Sequence, residues 1–330
     1  MNVNGRVVFG ANYDWDIRLG MVMANKRSVM KESLTQRPVR WTSRYASITF
    51  NQYGRDFPTG GMNDAGLVVA LMDLTSTEYP AVDSRPSAGV LDWIQYQLDL
   101  SGDVDQAIAN AAAIRIASGS RGLHYLIADR TGRAVTIEFL NGALVTHSDD
   151  TLPVAVLAND RYDESLAYLS TISGFGGRQP VPGGSQSVQR FARAASMIRA
   201  TSSGTDAVER AFAILDSVRQ PNTRWSIVYD PAAGVVHYRT DANRALRRLA
   251  FSSFDPACAS PVKIADLNAV PAGDVAPYLS DYTNEENIAL INASYDATFP
   301  STSQATRLLY AMHPEKDACI VPKRVRSARH

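Results

Sequence analysis

The order in which the apolar pattern changes period constrains this chain more than any single residue. Short runs rich in Val, Ile, Tyr and Phe occupy Arg6–Phe9, Met21–Asn25, Tyr45–Phe50 and Gly66–Leu74. Further runs follow at His124–Asp129, Ala134–Phe139 and Val154–Ala158. Glycine, Asp and Asn break them, as they break strands. Helical stripes lie between. Val90, Trp93, Ile94, Gln97 and Leu98 form one, entered after Pro86 and Ser87, and Ala-rich Asp103–Ile116 forms the next. A second helical pair covers Ser187–Arg199 and Asp206–Arg219. A hairpin, Arg224–Asp230 with Val235–Thr240, turns at Pro231-Ala232-Ala233-Gly234. Few strand pairs enclose a helix, which excludes a doubly wound parallel sheet. Antiparallel sheets with helices on their outer faces fit the order.

Composition narrows the function. With 45% hydrophobic residues the chain can bury a sizeable core. Its 33 basic and 33 acidic residues cancel, which excludes an electrostatic nucleic-acid binder. The basic cluster Arg244, Arg247 and Arg248 reads as a solvated face, and Lys323–His330 as a frayed, solvated tail. No apolar run is long enough to span a membrane. The opening Met1-Asn2-Val3-Asn4-Gly5 is polar and turn-like, so the chain as given shows no signal peptide. The compartment stays open: cytoplasmic, or exported if a leader lies upstream. Cys258 and Cys319 have no metal-ligand spacing and are expected to be free thiols, with a disulfide as the alternative.

Familiar chemical motifs are missing. No G-x-S-x-G elbow occurs, and Gly174-Phe175-Gly176-Gly177 lacks the strand–turn–helix setting of a nucleotide loop, so it reads as a flexible loop. The five histidines have no metal spacing, and His124 and His237 read as structural residues within strands. No cofactor or metal is expected. Asn4-Gly5 is a strong hairpin signal. Only three residues precede this turn, so the strand before it is expected to be stunted or missing. Polar residues close several apolar strands, notably in Gly10–Trp15, at Asp73 and in Leu157–Asp160.

Taken together, five of these stretches resemble the choloylglycine hydrolase family of linear amide C–N hydrolases. Gly10–Trp15 is similar to that family's G-R-N-x-D-W, and Gly61–Leu67 to its G-M-N-E-x-G-L. His124–Glu138 matches its H-x-x-x-x-D-x-x-G-x-x-x-x-x-E, Leu157-Ala158-Asn159 its L-x-N, and Gln189–Arg193 its S-R-F-x-R. The likeness runs in order from Gly5 to about Phe251. It implies an α+β fold: a four-layer αββα sandwich of two antiparallel sheets with helices outside both, the N-terminal-nucleophile hydrolase fold. The reading takes residues 1–330 as one such domain, with about 252–330 as a C-terminal extension.

The resemblance also implies a mechanism. A first-residue cysteine attacks the amide carbonyl, and its own α-amine handles the protons. An α-amine has a pKa near ~8, so it serves as a base near neutrality without a histidine. By resemblance, Asp14 would hold that amine. The Asn159 side chain and a backbone N–H near Asp73 would stabilise the oxyanion. Arg190 would favour thiolate, and Tyr13 would line the acyl pocket. Two positions depart from the family. Ala11 replaces an arginine, which leaves Arg190 as the cation beside the thiol. Asp73 replaces Asn or Tyr, cannot donate when ionised, and is expected to disfavour acidic substrates.

The nucleophile is absent from the chain as given, and its expected place is one short strand upstream of Met1. The chain as written is therefore expected to be inactive, whether as an amide hydrolase (penicillin V, conjugated bile salt or N-acyl amide type) or as a homologue that binds acyl amides without cleaving them. Homo-oligomers are implied only by the resemblance.

Overall fold

The computed structural model describes residues 1–117 and 119–320. Two antiparallel sheets face each other. In the nine-stranded sheet the order is Ala143–Ser148, Ala134–Leu140, Leu123–Ala128, Val68–Asp73, Pro58–Asn63, Ser47–Asn51, Met21–Asn25, Lys263–Asp266 and Ser280–Asp281. The five-stranded sheet runs Gly273–Asp274, Arg247–Ala250, Val235–Thr240, Thr223–Asp230 and Phe9–Asp14. Its one parallel pairing is at the Gly273–Asp274 edge.

Side-chain alternation explains the layers. Val68 and Ala70 face the inter-sheet core with Phe50, Trp225 and Tyr229. Their neighbours Leu67 and Val69 face outward, onto Trp93, Ile94 and Leu98. Those three belong to α1 (Asp92–Leu100), which packs beside α2 (Val104–Ala113). Asp103 caps α2 by accepting from the Gln106 N–H. On the other sheet, Ile227 and Tyr229 point inward. Val228 points outward onto Phe212 and Leu215. Strands buried on both faces read as unbroken apolar runs, which is why these segments are conspicuous in the sequence. The outer layer there is α4 (Ser187–Arg199) and α5 (Ala207–Ser217), with α3 (Tyr162–Leu169) beside α4. The result is the four-layer αββα sandwich.

Several expectations need correction. Val154–Ala158 is irregular, not a strand, and the sequence reading missed α3, whose Tyr162, Leu166 and Leu169 face the core. Gly174–Gly177 is an ordered turn in which the Phe175 and Gly177 N–H groups donate to the Ile172 carbonyl. Arg247 is fully buried, donating to the carbonyls of Val270, Asn243 and Ala245, whereas Arg244 and Arg248 are exposed. Cys258 and Cys319 are not free; they form a disulfide with Cα atoms 5.3 Å apart. The region after Phe251 holds two further helices, α6 (Asn284–Thr298) and α7 (Gln304–Met312). The basic tail Lys323–His330 lies outside the described residues.

At the start of the chain, Asn2–Val3 pairs with Arg6–Val7 around Asn4 and Gly5, both at positive φ as a tight hairpin requires. The preceding strand is thus present but only two residues long.

Candidate active site

Among the described residues, the Phe9–Asp14 strand is the outermost of the small sheet and pairs with Thr223–Asp230 on one side only. Along its open side lies a cavity of about 900 Å³ that takes in Gly10 to Trp15. Apolar residues of α4 and α5, among them Ala194, Ile198 and Ile214, form another wall. A smaller cavity of about 390 Å³ shares Asp14, Asp73, Asn159 and Arg190 with the first. These four therefore stand where an apolar chamber meets a polar one.

Each is fixed by its neighbours. Asp14 ends its strand opposite Thr223, whose hydroxyl donates to Asp14 Oδ1. Burial pushes the Asp14 carboxyl above its ordinary value, while the Thr223 hydrogen bond and the fields of Arg190 and Arg219 pull it back. Arg190 leaves the first turn of α4, just past the box in which Gln186 and Gln189 cap each other. Its Nη2 donates to Asn159 Oδ1 at 2.6 Å. The Asn159 Nδ2 donates to the Asp73 carbonyl at 3.1 Å, and its backbone N–H to Ser187 Oγ at 2.7 Å. A side-chain amide has two N–H donors, so Asn159 keeps one for a ligand.

The histidine motif serves this loop from behind. His124 is fully buried between Glu138, at 3.1 Å from Nδ1, and the Ala158 carbonyl, at 2.7 Å from Nε2. Glu138 also accepts from the Tyr162 N–H, which starts α3. His124 thus anchors the residue before Asn159. Asn63, of the Gly61–Leu67 stretch, is likewise scaffold: its Nδ2 donates to the Leu98 and Ser101 carbonyls and its Oδ1 accepts from the Leu67 N–H.

The chain belongs to the choloylglycine hydrolase family. The model of the linear amide C–N hydrolases of that family matches residues 1–240. A penicillin V acylase of Pectobacterium atrosepticum is 27% identical over 180 residues, which is 50% of this chain and 48% of that protein. The chain thus spans about half the length of this curated relative. Penicillin V acylase from Agrobacterium tumefaciens has the same fold, with TM-score 0.75, 24% identity, and coverage of 85% of this chain and 95% of that one. Conjugated bile acid hydrolase of Clostridium perfringens, crystallised in a mutant form, gives TM-score 0.65 at 16% identity over 86% of this chain and 95% of that one.

The choloylglycine hydrolase motifs draw Asp14, Asn159, Arg190 and Asp73 to one place, and Tyr13 lines the same cavity. Tyr13 is held, with its hydroxyl donating to Gln52 Oε1 at 2.8 Å and its ring stacked on Trp225 at 4.5 Å. Asp73 is paired through both carboxylate oxygens with the Arg121 guanidinium, which locally balances its charge. The sequence reading missed Thr223, Arg219 and Arg121. Only strand register brings Thr223 to Asp14, and neither arginine carries a local signal. Trp15, the last residue of the first motif, donates from Nε1 to the Tyr53 hydroxyl at 2.6 Å. The Arg121 guanidinium lies over the Trp15 ring, 4.7 Å from its centroid.

Both cysteines of the chain are in the disulfide, so the sequence as given offers no free thiol. The Met1 amine donates to the Val8 carbonyl at 2.9 Å, and Val8 lies six residues from Asp14 along extended chain, on the order of 20 Å.

Proposed function

We propose that this chain is the greater part of a hydrolase of non-peptide linear amides, of the penicillin V, conjugated bile salt or N-acyl amide type. Its nucleophile would be a cysteine carried on a strand that precedes Met1. The observation that carries this reading is the open side of the Phe9–Asp14 strand, with Asp14, Asn159 and Arg190 gathered at its far end. The hairpin register supports a location. Asn2 pairs with Val7 and Val3 with Arg6, so paired numbers add to nine. Continued along the open edge, that register brings the residue about six positions before Met1 opposite Asp14.

A cysteine there would have its α-amine beside the Asp14 carboxylate. That amine takes the thiol proton, and the thiolate attacks the amide carbonyl. The free Asn159 N–H, with the backbone N–H at Asp73, receives the developing oxyanion. The protonated α-amine then gives its proton to the leaving amine, and water resolves the thioester by the same route. Arg190 holds Asn159 in register and adds positive potential that favours thiolate. Asp14, half-buried and next to two arginines, is suited to hold an ammonium.

The test compares the protein starting at Met1 with one preceded by a six-residue strand whose exposed first residue is Cys. Penicillin V, glycine-conjugated bile salts and N-acyl amides are offered to each. Turnover is expected only from the extended protein, and Asn159→Ala in it is expected to lower kcat about 10²–10³-fold. Asp14-dependent turnover by the protein starting at Met1 would sink the proposal. The second reading, a binder that does not cleave, is motivated by the lack of a free thiol. Tight amide binding without turnover by the extended, folded protein would favour it.

A further inference from the structure

The loop that carries Asn159 is gripped on both sides by one buried carboxyl group. Glu138 Oε1 accepts from the Tyr162 N–H at 3.1 Å and meets His124 Nδ1 at 3.1 Å, and His124 Nε2 donates to the Ala158 carbonyl at 2.7 Å. Residues 158 and 162 are thus tied to the same group, with Asn159 between them. Proton positions follow from the partners. The Ala158 carbonyl only accepts, so Nε2 carries a hydrogen. Nδ1 faces a carboxyl oxygen, so a second proton lies in that contact, on nitrogen or on oxygen. Both side chains of this pair are fully buried.

The other oxygen of Glu138 is left over. Among the described residues Oε2 is buried without a hydrogen-bond partner, and so is the Thr136 hydroxyl. A buried polar atom without a partner costs stability, so the site favours any donor that can reach it. Facing it is His147 of the edge strand Ala143–Ser148, whose Nε2 stands 3.7 Å from Oε2 and which lies opposite Thr136 in strand register. The His147 ring rests on Tyr162, with 4.9 Å between centroids. Its side chain is 22% exposed, so it reaches water, which Glu138 and His124 do not. The titratable groups that face it are Glu138 from the neighbouring strand, with His124 behind it, and Tyr162 from α3. Asp149, two residues on, and Asp105 of α2 are both paired with Arg133.

We propose that His147 is a pH-responsive positioning residue of the amide site, acting on Asn159 through Glu138 and His124. With His147 neutral, Glu138 is turned wholly to His124 and the Tyr162 N–H, and its charge strengthens the bond from His124 Nε2 to the Ala158 carbonyl. When His147 gains a proton, a second cation draws on the same carboxyl group through Oε2. Glu138 then holds His124 and Tyr162 less tightly, and the seat of Asn159 loosens. The oxyanion donor is thus held best above the titration of His147 and worst below it. This inference rests on the amide site proposed above but not on cleavage.

The experiment follows the protein starting at Met1 by NMR as a function of pH, with isotope-labelled asparagine and histidine. The Asn159 signals are identified by their loss in Asn159→Ser, and the His147 ring signals by their loss in His147→Gln or His147→Asn. The Asn159 amide signals are expected to shift by more than their linewidth, with the same midpoint as the His147 ring. The step is expected to vanish in His147→Gln and in His147→Asn, which keep a donor but cannot titrate; circular dichroism confirms that the variants fold. A step that persists in either variant overturns the inference and assigns the titration to another group, such as Asp14. Asn159 signals that stay flat in the parent over about pH 5–8, where imidazoles change charge, overturn it without any variant. Because no turnover is read, failure of the hydrolase proposal alone leaves this result interpretable.

Discussion

The chain up to Thr240 and the chain after Phe251 are held together by different forces. In the first part, strands bury both faces: Val68, Val69 and Ala70 are successive and all buried. In the second, α6 buries Leu290 and Ile291 beside Asn287 and Ser294, and the two polar residues make its ties to the core. The ties continue as charges. The Arg55 guanidinium reaches Asp317 at 2.9 Å, and Arg55 lies next to Asp56, which Lys31 bonds at 2.8 Å. Lys31 also lies 3.3 Å from Asp99 of α1. Burial works against the Asp56 charge, yet Lys31 and Arg55 together hold its carboxyl down to about 2. Asp317 goes the other way: burial and the Asp56 charge push it up. A region poor in apolar stripe can therefore still be ordered, provided that specific polar bonds and a covalent tie replace area.

The most damaging test of that contrast is Lys31→Met. It leaves Asp56 and Asp99 buried without their shared cation, and a loss of about 3–5 kcal/mol is expected in denaturant unfolding. A loss under about 1 kcal/mol would mean that the buried charge cluster next to the Arg55–Asp317 pair adds little to stability.

Opening the disulfide with Cys258→Ser and Cys319→Ser comes next. The cysteines are 61 positions apart, and loop closure of that length is worth about 4 kcal/mol. Hydrogen exchange is expected to accelerate in α6 and α7 while the sheet amides stay protected. Uniform acceleration would erase the distinction between the two regions.

Asp92 stands at the cavity where the regions meet, since its charge also acts on Tyr310 of α7. Burial raises its carboxyl to about 7 against backbone hydrogen bonds that lower it. The folded state therefore keeps a proton that the unfolded state releases near ~4. Between those values the folded state binds more protons, so stability falls as pH rises and levels off above about 7. Asp92→Asn is expected to remove this slope. Its advantage over the parent should grow from about pH 4 to about pH 7, to the order of a few kcal/mol. Parallel stability curves would show that Asp92 titrates alike in both states.

The smallest effect is expected at the candidate site. Thr223→Val removes the hydroxyl that donates to Asp14, at a cost of about 1–2 kcal/mol. The Asp14 carboxyl is expected to titrate higher, because that bond favours its charged form. Carboxyl carbon NMR reads the shift, and an unmoved or lower titration would contradict it.

How much was legible follows the same division. Residues buried on both sheet faces, the α1 stripe and the Asp103 cap announce themselves through periodicity, and so does the Asn4-Gly5 turn. Val154–Ala158 misled because an apolar run of that length is also what a buried connection looks like; here Val156 and Ala158 are buried without pairing. Helix α6 was hidden because its anchors are Asn287 and Ser294, which hydropathy counts as solvent-facing.

Antiparallel strands with outer helices were written in local patterns of residue type and spacing, and the resemblance to the family marked Asp14, Asn159, Arg190 and Asp73 as candidates. Folding brought Arg121 onto Asp73 and Thr223 onto Asp14, joined the two cysteines, and set residues of α6 and α7 along the cavity. Each of those is a contact between residues far apart in the chain, and its energy depends on burial and register that no local stretch of sequence contains.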